Sequence, residues 1–339
     1  MYEVIVLNPA TAKMLGIPKT DRMDATLLAM LGSAGLGLPS FIPHKLQYAV
    51  RGANRDLMRH VKKRSSEKVK VKHWFVEQGM NALLTKEGLP DLSGYSGMSV
   101  INGILSGQRD VVKLTQNLHP RLKKPERLRY IQVALKPIES VDPFAIRQLS
   151  LTVSKINFMD QLIPTYHQLV WDALEHWTQT TNVNLDRLIE VVLSNPGFVD
   201  PRVKRSKMGA STLLTVFAEV GLNVTPWPEA KKFARWIGVA PTVNSSGGKQ
   251  KSNFIIGGNP FLREHLLQIA SSIVTSRKPE YAPFRDKYWR INSHRAANQA
   301  KVGVANSLAR TLYACLRDDT LYKARYLKTA KNRKRSAKK

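Results

Sequence analysis

The 339-residue chain carries 53 Lys and Arg against 25 Asp and Glu, a formal net charge of +28, and 43% of its residues are hydrophobic. That apolar fraction excludes a disordered chain, no apolar run reaches the roughly 18 residues of a membrane span, and the single cysteine, Cys315, excludes an internal disulfide and any multi-cysteine metal site. A surplus of one sign repels itself unless a polyanion is close, so nucleic acid is the expected partner, no membrane is involved, and a reducing cytoplasm is the expected compartment.

Val4-Ile5-Val6-Leu7 reads as a buried strand closed by Asn8-Pro9, and residues 20–32 read as a helix whose apolar face is Met23, Leu27, Leu28, Met30 and Leu31. Gly32 to Pro43 is a Gly- and Pro-rich loop. From Lys45 a basic helical stretch runs through Arg51, Arg55, Arg59, Lys62, Lys63, Arg64, Lys68, Lys70 and Lys72, with Leu46, Val50, Leu57, Met58 and Val61 on its apolar side. The density of one sign favours a surface that tracks phosphates over a merely solvated face. Residues 85–110, with Gly88, Gly94, Gly97, Gly103 and Gly107, read as a connection between helices, and His119 to Arg129 is again basic. Pro143 to Trp177 is a long helical pattern. Ile146, Leu149, Val153, Ile156, Met159, Leu162 and Ile163 recur at threes and fours, which suits core packing or a coiled-coil seam, and Pro164 predicts a kink or two helices.

Leu185 to Leu193 is a short amphipathic helix ending at Asn195-Pro196-Gly197, followed by a basic insert with Arg202, Lys204, Arg205 and Lys207. A helix from Ser211 to Val220 stops at Gly221. Helix, glycine turn, helix is a shape that grips a DNA backbone, because turn amides and helix N-termini face phosphates, although a plain helical hairpin reads the same way. Residues 229–239 form a helix with Phe233, Trp236 and Ile237 inward. Thr242 to Asn253 reads as a polar loop holding Ser245-Ser246-Gly247-Gly248, and Gly257-Gly258-Asn259-Pro260 introduces a helix from Phe261 to Ile273 that carries Arg263. Residues 301–316 are the last apolar helix, and the basic tail from Lys323 is expected to stay disordered until it meets nucleic acid.

Asp21 and Asp24 are the first candidates for chemistry. Residues i and i+3 share a helix face, so both carboxylates can serve one hard cation such as Mg²⁺; equally, Thr20 or Asp21 can cap the helix and Asp24 favour its dipole. The serine-glycine loop is by itself a weak signal, since such a loop also suits a flexible connection.

Taken together, several ordered motifs resemble the DEDD/serine transposases of the "one-ten" insertion-sequence family. Asn8-Pro9 and Lys19-Thr20-Asp21-x-x-Asp24-Ala25 are similar to that family's last two acidic positions. Asn195-Pro196-Gly197, Gly209 to Gly221, Phe233-Ala234-x-Trp236-Ile237-Gly238-Val239-Ala240-Pro241, Ser246-Gly247, Gly258-Asn259-Pro260-x-Leu262-Arg263, Phe284-Arg285-Asp286 and Lys301-Val302 follow its serine-bearing domain in order. The resemblance covers residues 1–50 and 185–316. It implies an RNA-guided DNA recombinase in which four acidic residues hold Mg²⁺. A serine attacks a phosphodiester and stays joined to the DNA during exchange. It also implies a non-coding guide RNA and a homo-oligomeric assembly on DNA. By motif, Ser246 is the implied nucleophile, with Ser245 its nearest competitor, and Asp21 and Asp24 are implied metal ligands.

The family's first Asp and its Glu have no counterpart here: seven residues precede Asn8, and Glu3 stands in a different context. The expected fold is therefore mostly α with a small α/β part. It comprises an incomplete RuvC/RNase H-like remnant (1–50), a basic helical or coiled-coil linker (51–184), a helical C-terminal transposase domain with a helix-hairpin-helix-like element (185–320), and a basic tail (321–339). A start upstream, strands supplied by another polypeptide, and a decayed element remain open. With two carboxylates alone, Mg²⁺ binding is expected to be weak and cleavage by the isolated chain poor. The rival expectation is a non-catalytic RNA- or DNA-binding remnant. The basic residues expected to meet nucleic acid are Arg51, Arg55, Lys62, Lys63, Arg64, Arg202, Lys204, Arg205, Lys207 and Arg263.

Overall fold

The computed structural model of the protein describes residues 21–35, 42–198, 209–240, 242–246, 249–254 and 258–323. The expected strand at residues 3–7, the basic insert with Arg202, Lys204, Arg205 and Lys207, and the tail from residue 324 lie outside the described residues. The described chain is mostly helical, and it divides into two compact units: residues 1–52 with 173–339, and residues 53–172. The divisions fall inside two long helices, α2 (Lys45–Glu77) and α6 (Pro143–Thr180). No helix among the described residues is long and apolar enough to cross a membrane.

The unit of residues 53–172 is built from its parts of α2 and α6 with α3 (Tyr95–Leu105), α4 (Val111–Thr115) and α5 (Pro125–Leu135). Phe75, Met80, Leu83, Ile101, Ile131 and Leu149 are among its fully buried side chains. Trp74 Nε1 donates to the Ala145 carbonyl at 2.8 Å and ties α2 to α6. The glycine-rich stretch expected to be a connection contains α3 instead. Its glycines serve packing: a Cβ at Gly97 would stand 2.4 Å from Leu92 Cα, and one at Gly103 would stand 2.6 Å from Leu114 Cδ2. Asp110 caps α4 by accepting from Val112 N–H at 2.8 Å.

α6 is one helix of 38 residues with Pro164 inside it, not two. A proline removes one ladder hydrogen bond and crowds the preceding turn, and the rest of so long a helix carries that loss. Leu149, Val153, Ile156 and Met159 of its apolar stripe are buried in the core, while Phe144, Leu151 and Phe158 are exposed.

The other unit centres on α12 (Ala297–Asp318), which packs against α11 (Ala282–Asn292), α10 (Pro260–Thr275), α9 (Ala230–Ile237) and α7 (Leu185–Leu193). α1 (Asp21–Ser33) belongs to this unit and buries Leu27 and Leu31. α8 (Gly209–Val220) is buried at every position from Thr212 to Val220, as a helix apolar on all sides must be. Its polar side chains are answered internally: the His265 ring lies between the hydroxyls of Thr212, at 3.0 Å from Nδ1, and Thr215, at 3.2 Å from Nε2. The turn after α8 is covered. Gly221 has φ +96°, and a Cβ there would meet the Gln47 side-chain amide at 3.1 Å.

The predicted polar loop at 242–253 is an antiparallel hairpin of β1 (Thr242–Ser246) and β2 (Lys249–Phe254). Two short runs separated by Gly-Gly are a hairpin signal, masked in the sequence by the lack of apolar alternation. Ser246 pairs with Lys249 and Ser245 with Gln250, and the register then shifts so that Asn244 pairs with Ser252.

Candidate functional site

Ser246, the candidate nucleophile, is the last residue of β1, at the closed end of the hairpin. What holds the hairpin is built from residues on both sides of it. α9 ends in Gly238, whose φ of +84° is the left-handed conformation that glycine adopts without strain. Gly238 N–H donates to the Arg235 carbonyl at 3.0 Å and Val239 N–H to the Ala234 carbonyl at 3.0 Å, the paired bonds of a Schellman stop. The chain leaves for the hairpin here and comes back to the same point. A Cβ on Gly258 would lie 2.4 Å from Gly238 N and 2.6 Å from Gly238 Cα, so the two glycines allow the backbones to touch. Asn259 N–H then donates to the Trp236 carbonyl at 2.9 Å, satisfying one of the open carbonyls at the end of α9.

Asn259 does three things at once. Its backbone closes the neck, its side-chain oxygen caps α10 by accepting from Leu262 N–H at 3.1 Å, and its amide donates to Glu219 Oε2 at 2.6 Å. Pro260 follows at the first helical position, where no N–H is needed. Glu219 is wholly buried in α8, and its charge is met by Arg51, whose Nε stands 3.3 Å from Oε2. A buried carboxylate needs such a partner. On the outgoing side, Asn306 of α12 donates from Nδ2 to the Val239 carbonyl at 3.2 Å. The aromatic cluster beneath α9 completes the base: Trp227 lies 4.5 Å from Trp236 and 5.1 Å from Phe233 between ring centroids, and Tyr313 Oη donates to the Trp227 carbonyl at 2.8 Å.

The structure places the predicted basic residues in different settings. Arg51 serves the interior: Nη2 donates to the Glu219 carbonyl at 2.8 Å and Nε to the Ala218 carbonyl at 3.2 Å, and its side chain is 13% exposed. Its guanidinium is thus taken by α8 and the Glu219 carboxylate, a structural role that a basic face in sequence does not reveal. Arg263 sits in the first turn of α10 with its stem against the neck, where a Cβ on Gly238 would lie 3.6 Å from Arg263 Cδ. Its Nε is buried without a hydrogen bond among the described residues, beside an open groove lined by Gly258, Pro260, Glu264 and Leu267. In the unit of residues 53–172, Arg64 bridges to Asp160 at 2.6 Å, Arg55 is half-buried, and Lys62 and Lys63 are exposed. Asp21 and Asp24 occupy the first turn of α1, one turn apart along its backbone, and their side chains lie outside what is described. Among the described residues, no group of three or more His, Cys, Asp or Glu side chains could hold a metal ion.

Glu219, Asn259 and Asn306 escaped the sequence reading as site residues. A signal existed for two of them: Asn-Pro is an N-cap followed by a first-turn proline, and Glu219 is a lone acid in the otherwise apolar end of a helix. Asn306 had none, because its partner is a backbone carbonyl 67 positions away.

No curated protein sequence matches the chain. Residues 207–286, which hold α8, α9, the hairpin with its neck, α10 and the start of α11, match the family described as Transposase IS116/IS110/IS902.

Proposed function

We propose that the chain is a transposase of an insertion sequence that cleaves and rejoins DNA through Ser246 under the direction of a non-coding guide RNA. One observation carries this reading: the transposase family match spans the hairpin on which Ser246 sits, and the neck of that hairpin is clamped from α8, α9, α10 and α12. Placement of a reacting group can supply a substantial share of what a protein contributes to such a step. The serine hydroxyl forms an ester bond to a DNA phosphorus as the bond from that phosphorus to the leaving DNA oxygen breaks. The hydroxyl proton is passed to a base, and the leaving oxygen takes up a proton. A later attack by a DNA hydroxyl reverses the exchange and frees the serine. One phosphoester replaces another at each step, so no external energy source is needed.

Asp21 and Asp24 are the proposed protein ligands of Mg²⁺. Asp21 and Asp24, one turn apart on α1, would hold the ion, and the ion would supply charge neutralisation at the phosphate. The contacts proposed for the nucleic-acid backbone are Lys62, Lys63 and Arg55, Arg263 at the neck, and the basic insert at Arg202, Lys204, Arg205 and Lys207. Base pairing by the guide RNA would select sequence, leaving the protein to read backbone and shape, which a chain of +28 is suited to do. The acting form is proposed to be a homo-oligomer on DNA.

The test is the residue to which DNA becomes covalently attached. The chain is incubated with its guide transcript, element-end DNA and Mg²⁺, and any protein–DNA adduct is mapped by mass spectrometry. With two carboxylates alone the yield is expected to be low; whatever adduct forms is expected on Ser246, lost in Ser246→Ala and retained in Ser245→Ala. An adduct elsewhere overturns the assignment. Steeply salt-dependent binding with no adduct under any condition favours a non-catalytic nucleic-acid-binding role.

A further inference from the structure

Three cations gather on the face formed by α11 and α12, directly after the segment that matches the transposase family. Lys287 of α11 is half-buried and donates from Nζ to Ser307 Oγ of α12. Arg290 lies one turn further along α11, and Arg310 one turn beyond Ser307 along α12; both are exposed. Among the described residues, none of the three has a carboxylate partner in a hydrogen bond or ion pair. Burial first, and then the charges of Arg290 and Arg310, push the Lys287 ammonium below the ordinary lysine value. Three uncompensated like charges held this close cost free energy in the unliganded protein, and an anion seated among them would remove that cost.

The cluster is also tied to the hairpin. Arg310 stands four residues after Asn306, so the two share a face of α12, and Asn306 is the residue whose amide holds the Val239 carbonyl at the hairpin neck. A phosphate held by Arg310 would therefore lie on the side of α12 from which the Ser246 hairpin is anchored. Arginine and lysine differ usefully here: the two guanidiniums offer forked donors to phosphate oxygens, and the ammonium adds a point charge held by a neighbouring hydroxyl.

We propose that Lys287, Arg290 and Arg310 form a subsite for a backbone phosphate of the DNA strand worked on by the Ser246 hairpin. The inference rests on the reading of the chain as a DNA transposase, and the test separates the two. Binding of a mixed-sequence DNA duplex to the full chain is measured against salt for the parent, for an Arg290→Gln/Arg310→Gln double variant, and for a Lys62→Gln/Lys63→Gln comparison variant. The first pair of side chains is exposed with no described hydrogen bond, and their loss relieves repulsion of Lys287, so a melting temperature equal to or above the parent's is expected. The double variant is expected to bind about tenfold more weakly and to lower the slope of log affinity on log salt by about 1 to 2. Lys287→Gln is expected to lower it further. Affinity and slope equal to the parent's overturn the subsite while leaving the DNA reading intact. A parent that does not bind the duplex overturns the DNA reading and the subsite with it. A parallel titration with single-stranded RNA decides the ligand: a loss of slope seen only with RNA overturns the assignment to DNA.

Discussion

The side-chain amide of Asn259 donates to the carboxylate of Glu219 at 2.6 Å, with both side chains in the interior. The same side chain caps α10 and its backbone closes the hairpin neck, so one residue couples helix α8 to the placement of the hairpin. Asn259→Ala removes the cap, worth about 1 kcal/mol, and leaves a buried carboxylate oxygen with one donor fewer, worth a further ~1–3 kcal/mol. Asn259→Asp makes a sharper test. It keeps the capping oxygen but sets two carboxylates face to face, so one of them is held protonated to a higher pH than in the unfolded chain. The stability it loses at neutral pH is expected to return in part on acidification, and more steeply than for Asn259→Ala, which adds no second carboxylate. Urea denaturation of both variants across pH reads this directly, and parallel pH profiles would refute the contact.

The neck predicts an ordering between two glycines. A Cβ on Gly258 would fall 2.4 Å from Gly238 N and 2.6 Å from the Ile237 carbonyl carbon, all backbone that cannot step aside. A Cβ on Gly238 would meet Gly258 N at a milder 3.1 Å, but at a φ of +84°. Gly258→Ala is expected to cost about 3 kcal/mol through forced separation of the strands of the neck, and Gly238→Ala about 1 kcal/mol through backbone strain. Because the first change moves the hairpin base further than the second, Gly258→Ala should also depress adduct formation at Ser246 beyond its effect on folding, and more than Gly238→Ala does. Denaturation midpoints alongside adduct yields check both parts.

The helices were legible where periodicity was strong. α7, α8, α9, α10 and α12 stand where apolar spacing, caps and stops place them, because burial of one face is a local property of sequence. The two misreadings share another cause. Gly97 and Gly103 look like linker residues until one sees that Leu92 and Leu114 press against them. The 242–254 hairpin carries too few apolar residues to announce a strand. Both depend on contacts between segments, which sequence spacing does not encode. Arg51 makes the same point in the candidate site: in sequence it is one cation of a basic helix, and its burial against Glu219 exists only once α8, 168 positions away, is in place. Ser246 is a candidate on its flanking motif alone, and the residues that clamp its hairpin are defined only by the fold.

Tyr313 offers a test of the base beneath the neck. Its hydroxyl donates to the Trp227 carbonyl at 2.8 Å in the interior, and its ring packs 5.6 Å from Phe233. Tyr313→Phe keeps the ring and strands the carbonyl, a loss of about 1–2 kcal/mol. Tyr313→Leu also removes an aromatic contact with Phe233, worth roughly a further 1 kcal/mol. Near-ultraviolet circular dichroism, which reports the Trp227, Phe233 and Trp236 cluster, should stay unchanged in the first variant and weaken in the second. The reverse order would show that the hydroxyl, not the ring, organises the cluster.

Acid should loosen the unit of residues 53–172 through His167. Burial lowers the pKa of its imidazole below the ordinary histidine value, because a charged ring loses hydration among its neighbours, Trp171 included. Between that lowered value and the ordinary one, the unfolded chain binds more protons than the folded chain, so stability rises with pH across this window. Acidification from about pH 7 to about pH 5 is therefore expected to cost stability, the loss levelling off once the folded-state ring also protonates. His167→Gln, which keeps a polar side chain of similar reach but does not titrate, should remove this part of the slope. The measurement is the denaturant midpoint of the parent and the variant at each pH. A difference between them that stays constant from neutral to acid pH would assign the acid sensitivity to other groups.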